Sequence, residues 1–236
     1  MTTLGGVFVF FFNKPSQALT LTTTSFAAGI MLSASIWSLL LPAFEQSKAY
    51  LGQLFALPVA IGFVLGAVFV VILGFFCKKC FSNDINAQKP FKFFSAMTIH
   101  NIPEGLSVGI ALGSTVANTQ NFFAVFLFAL GIALQNFPEG LATALAMQNY
   151  FQNSKKSFFF AFLSGIVEPI FAIVGYFLAK TATLSLPFLL SLSAGAMIFV
   201  VVEELMPEMS ENKKGSLGPS VFIAGFLLMM ILDICL

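Results

Sequence analysis

Seven apolar runs, each long enough to cross a lipid bilayer, constrain this chain more than any other feature. They lie at about 22–44, 54–76, 93–114, 122–147, 158–179, 184–206 and 217–236. A spanning helix needs roughly 20 apolar residues. An eighth run, 2–12, is shorter than that. Only 9% of the 236 residues are charged, where a soluble domain carries about 25%. Lipid is therefore the main solvent, and in lipid each backbone N–H and C=O must be satisfied within its own segment or a closed barrel. The expectation is an all-α polytopic membrane protein, one transmembrane domain over 1–236, built as a bundle of eight helices. The 2–12 run lacks the basic leader and small-residue cleavage site of a signal peptide, and it reads as the second half of a truncated first helix.

Loop charges set the expected orientation. Alternating from the loop after the first run, one side holds Lys14, Lys78, Lys79, Lys89, Lys92, Lys155, Lys156, Lys213 and Lys214. The other holds only Lys48 and Lys180. The positive-inside rule makes the lysine-rich side cytoplasmic and turns both termini outward. No basic cluster exceeds a lysine pair, so the composition gives no reason to expect nucleic acid as a partner. Three cysteines imply no paired disulfide framework. Cys77 and Cys80 have the spacing of half a zinc site or a redox pair, and are read as interfacial cysteines on a reduced cytoplasmic loop.

Within the apolar runs, ionisable residues are few. The fourth run has His100 and Glu104, the fifth Glu139, the sixth Glu168, the seventh Glu203 and Glu204, and the last Asp233. Each costs roughly 2.5–3.5 kcal/mol at the centre of a spanning helix and so demands a reason. His100, Asn101 and Glu104 stand at i, i+1 and i+4, near one helix face. Gln135, Asn136 and Glu139 repeat the arrangement 35 residues later, and the two copies share Asn-x-Pro-Glu-Gly-Leu in register. No lysine lies in the runs beside these acids, so a bound cation or protons must balance them. Pro103, Pro138 and Pro169 each remove one helical hydrogen bond near the acids, and broken helices at mid-membrane are a feature of transporter ion sites. One imidazole, three carboxylates and amide oxygens suit a divalent metal such as Zn²⁺, Fe²⁺ or Mn²⁺. A pure proton relay has no need of His and Asn in matched frames.

His-Asn-x-Pro-Glu-Gly followed by Gln-Asn-x-Pro-Glu-Gly on consecutive membrane helices resembles the ZIP (Zrt/Irt-like) metal transporters, and Gln135 resembles their bacterial GufA-like branch. The likeness covers nearly the whole chain: 26–32 resembles helix 2 of that branch, 165–169 its helix 6 and 203–208 the end of its helix 7. The resemblance implies eight helices, outward termini, a homodimer in the cell membrane, and metal uptake toward the cytoplasm by alternating access. It implies a two-metal site between helices 4, 5 and 6. The first metal would be held by Met31, His100, Glu104, Gln135 and Glu139, and the second by Asn101, Glu104, Asn136, Glu139 and Glu168. Many relatives have His at the position of Gln135 and a His-rich loop between helices 3 and 4; this chain has neither.

The expected function is therefore transport of divalent transition metals, zinc first, with Fe²⁺, Mn²⁺ and Cd²⁺ also suited to the donors. No prosthetic group is expected, the metal ion being the cargo. The alternative is a metal-binding or sensing membrane protein without flux. An enzyme is not expected: an intramembrane metalloprotease needs His-Glu-x-x-His, and this chain has a single histidine. A phosphate-binding loop for ATP-driven transport is likewise missing from the sequence.

Overall fold

A computed structural model of the chain describes residues 1–12, 16–80, 85–116, 122–178, 186–211 and 215–235. Among them there is no strand, and the helical segments form eight rods, in keeping with the all-α polytopic class. Helix α1 is Thr2–Val7 tightening into a 3₁₀ turn at Phe8–Phe11. Helix α2 runs through Gln17–Ala34, a π-helical stretch Ser35–Leu40, and Leu41–Leu51. Helices α3, α4, α5 and α6 are Ala56–Cys80, Ile85–Val116, Phe122–Phe151 and Ser154–Leu178. Helix α7 is Leu186–Val200, a π-helical Val201–Leu205, and Met206–Glu211; α8 is Leu217–Cys235.

Six rods are long and apolar enough to span a bilayer. The two others are α1, which is short, and α4, which has the length but carries the His100 cluster and so loses apolar character. Helix α4 starts at Ile85, ahead of its apolar run, and α5 and α6 stay helical through Pro138 and Pro169. Both π-helical stretches end immediately before a Leu-Pro or Met-Pro pair, at Pro42 and Pro207. A proline has no N–H to give the carbonyl four residues back, and a widened turn is one way to rearrange that ladder.

The rods pack in two groups. In one, α4 lies along α6, and α5 packs on α1, α4 and α6; in the other, α3 lies along α7 and α2 along α8. Contacts of α2 with α5 and of α4 with α7 join the groups. The outer faces are apolar: Leu57, Val64 and Phe75 on α3, Ile173 and Phe177 on α6, and Ile223 and Ile234 on α8 are all exposed. The interior holds polar residues as well as an apolar core. This inversion of a soluble protein's distribution fits a lipid surround. At one end of the first group, Phe91 and Phe94 of α4, Tyr150 and Phe151 of α5, and Phe160 of α6 interlock, mostly edge to face with Phe151 stacked on Phe160, with centroids 4.8–6.0 Å apart. The α5–α6 turn beside them is fixed by Gln152, at φ +50°, and by Asn153, whose side-chain oxygen accepts the N–H of Lys156 at 3.1 Å.

Candidate metal site

The two Asn-x-Pro-Glu-Gly turns meet in the interior. His100, Asn101, Glu104, Gln135, Asn136 and Glu139 are each no more than 2% exposed. His100 Nε2 lies 3.2 Å from Glu104 Oε1 and 3.8 Å from Glu139 Oε1. Ligand atoms of these three residues all fall within 4.8 Å of one another. A tetrahedral zinc ion about 2.0–2.1 Å from its ligands sets those ligands roughly 3.3 Å apart; the His100–Glu104 pair already stands at that separation, and Glu139 lies somewhat wider.

The glycines of the two turns explain why the carboxylates sit where they do. A Cβ on Gly105 would fall on the backbone carbonyl of Glu168 in α6. A Cβ on Gly140 would fall on the backbone carbonyl of Thr2 in α1. Each motif glycine thus admits a neighbouring helix at backbone contact, one residue from its glutamate. The helix brought in by Gly105 carries Glu168, and the one brought in by Gly140 carries Thr2, whose hydroxyl donates to Glu168 Oε1 at 2.5 Å.

The side chains of Asn101 and Gln135 are held so as to leave their oxygens free. Asn101 Nδ2 donates to the Ser164 carbonyl at 2.8 Å and to Ser164 Oγ at 3.2 Å, and Asn101 Oδ1 has no hydrogen-bond partner. Gln135 Nε2 donates to Glu104 Oε1, and Gln135 Oε1 is without a partner. Asn136 Oδ1, Glu104 Oε2 and both carboxylate oxygens of Glu139 are also buried without one. Buried polar atoms are normally satisfied, and leaving one unmade costs about 1–3 kcal/mol. A cluster of acceptors, with one imidazole between carboxylates, is the donor set a divalent cation would complete.

The remaining candidates differ in their settings. Glu168 is half-buried and tied to Thr2. Met31 is buried in the apolar cluster that also holds Met97, Ala142 and Met197. Glu203 pairs with Lys92 at 2.8 Å, linking α7 to α4 across the two groups. Asp233 is half-buried and accepts from Ser38 at 2.8 Å. The side chains of Cys77, Cys80, Pro103 and Glu204 lie outside the described residues. Thr2, Ser164 and Ser193, whose hydroxyl is 3.2 Å from His100 Nδ1, were not among the sequence candidates. Ser193 opens the small-residue stretch Ser193-Ala194-Gly195-Ala196, a pattern that by itself speaks only for close helix packing, and only the fold reveals its partner.

The family model described as ZIP Zinc transporter matches residues 90–233. The chain belongs to the ZIP family. The matched stretch takes in every candidate ligand except Met31. Zinc transporter ZIP11 of Bos taurus is 31% identical over 99% of this chain and 93% of its own length. Zinc transporter ZIPB of Bordetella bronchiseptica is 31% identical, covering 89% of this chain and 70% of that protein. Zinc transporter GufA of Myxococcus xanthus is 30% identical, over 85% and 80%. The GufA-like resemblance read from the paired turns therefore stands, and the ZIP relatives are named as transporters and not as enzymes.

Proposed function

We propose that this chain carries divalent transition-metal ions, zinc foremost, across the membrane to the lysine-rich, cytoplasmic side. The observation that carries this reading is the buried set of unpartnered acceptors around His100. A structural core gains nothing from two buried carboxylates and unpaired amide oxygens gathered at one imidazole, whereas a cation passing through uses them all. In this reading Met31, His100, Glu104, Gln135 and Glu139 hold one ion. Asn101, Glu104, Asn136, Glu139 and Glu168 hold a second, and Glu104 and Glu139 bridge the two. The carboxylates bind metal in their ionised form, so loading releases protons.

Alternating access belongs to the same proposal, and the two-group packing supports it. His100, Glu104, Gln135, Glu139 and Glu168 all belong to the α1–α4–α5–α6 group, and Met31 alone comes from the other. A slide of the first group against the second would carry the ligand set as a unit and expose it to either side in turn. Iron, manganese and cadmium fit the same donors and are secondary cargoes of this proposal. Pairing of two chains in the membrane is a further element of it.

The test is uptake of radioactive zinc into vesicles containing the purified protein. Saturable uptake is expected; stoichiometric zinc binding without flux would instead favour a sensing role. Selectivity is read from Gln135. Replacing its amide by imidazole gives the first ion a second nitrogen ligand, and nitrogen donors favour zinc over the harder manganese ion. Gln135→His is expected to raise the zinc-to-manganese uptake ratio about tenfold. Competition assays in the same vesicles measure that ratio, and an unchanged ratio counts against a ligand role for residue 135.

A further inference from the structure

Each ligand of the proposed site that has a hydrogen-bonded support draws it from its own helix group, with one exception. Asn101 is held by Ser164 of α6, Gln135 by Glu104 of α4, and Glu168 by Thr2 of α1. His100 is different. Its Nδ1 lies 3.2 Å from the hydroxyl of Ser193, on α7 of the opposite group. Ser193 is 1% exposed and His100 2%, so water does not compete for that contact.

We propose that Ser193 is a positioning residue for the metal site: its hydroxyl accepts the Nδ1–H of His100 and holds the ring with Nε2 toward Glu104 and Glu139. This inference rests on the transport reading above and adds to it a residue that touches no metal. The chemistry is specific. A metal-binding imidazole uses one nitrogen for the ion, and the proton on the other sets both the tautomer and the ring plane. With Nδ1–H engaged by Ser193, Nε2 is the nitrogen left for the ion, and it is the one 3.2 Å and 3.8 Å from the two carboxylates. Without that acceptor the ring is free to turn about its Cβ–Cγ bond and withdraw Nε2 from the cluster.

The position of Ser193 gives the bond a second consequence. When the two groups slide past one another, the ties from Ser164, Glu104 and Thr2 travel with the site, and the tie from Ser193 does not. His100 is therefore held firmly in the arrangement described here and released in the other. A site that loosens its one nitrogen ligand after transfer gives up its ion on the receiving side.

The test uses the full chain, purified without a histidine tag and labelled with ¹⁵N-histidine. Since the chain has one histidine, a single imidazole signal reports on His100. In metal-free protein the Nδ1–H resonance is expected to move upfield and exchange faster with water in Ser193→Ala. Zinc affinity is expected to fall about tenfold, with a matching rise in the KM of uptake and little change in maximal rate. Ser193→Thr, which keeps the hydroxyl, should recover most of the affinity. Should the alanine variant fail to fold, Ser193→Cys offers a nearly isosteric side chain with a weak acceptor and is expected to change in the same direction. An Nδ1–H signal unmoved by loss of the hydroxyl, or zinc affinity within about twofold of the parent, overturns the proposal. The two readings fail separately: a parent protein that neither binds nor carries zinc defeats the transport reading, while the imidazole signal of metal-free protein still decides whether Ser193 holds His100.

Discussion

Glu104→Ala is expected to reduce zinc uptake by at least about 100-fold, and Glu139→Ala to do the same. Both carboxylates are fully buried, and each faces the imidazole of His100. Glu104 also receives the amide of Gln135. Truncating it removes a charged ligand and at once frees the Gln135 side chain to turn its oxygen away, so the loss is larger than that of one metal bond. Glu104→Gln separates the two contributions. It keeps the volume and a carbonyl acceptor but not the charge, and is expected to retain the helix packing while losing nearly all uptake. Vesicle assays at matched protein density measure both variants. Uptake near the parent level in Glu104→Ala and Glu139→Ala would contradict a bridging role for the two carboxylates.

Gly105→Ala is the second large effect, and it acts without touching a ligand. The added methyl would collide with the Glu168 carbonyl, so α4 and α6 must separate where the site is assembled. Overpacking a tight contact typically costs about 1–3 kcal/mol, and here the displaced helix is the one carrying Glu168. Uptake is expected to fall at least about tenfold, at a cost in thermal stability of that size. Gly131→Ala is the matched control. It lies in α5, is buried, and a Cβ there meets nothing within 4 Å. Alanine is favoured over glycine in a helix interior by about 1 kcal/mol, so Gly131→Ala should transport normally and melt no lower than the parent. Equal behaviour of the two variants would contradict the role given to the motif glycine.

Much of this architecture is legible in the sequence because lipid leaves few choices. Once water is excluded, apolar runs of spanning length become helices, and the residues that break the runs stand out as candidates. The paired turns show in the same way: His100 and Glu104, and Gln135 and Glu139, are set in register by helical spacing alone. What hydropathy misses is set by contact between helices. The polar first turns of α4, from Ile85, continue the helix beyond the apolar run, because backbone hydrogen bonding does not stop where the hydrocarbon does. Pro138 and Pro169 each cost their helix one hydrogen bond, and both helices run on through them. Widened π turns occur before Pro42 and Pro207. Ser193, Ser164 and Thr2 are small side chains whose composition says only that helices pack closely there. Their partners, His100, Asn101 and Glu168, lie 93, 63 and 166 residues away, and no local pattern reports a pairing at that distance.

The most direct measurement of the central claim is anomalous X-ray scattering at the zinc edge from crystals of the full chain soaked in zinc. The account predicts an anomalous peak within bonding distance of His100 Nε2, Glu104 and Glu139. It places a second peak toward Asn101, Asn136 and Glu168, with the two carboxylates shared between them. Zinc found only at surface residues, with no peak between the paired turns, would contradict it.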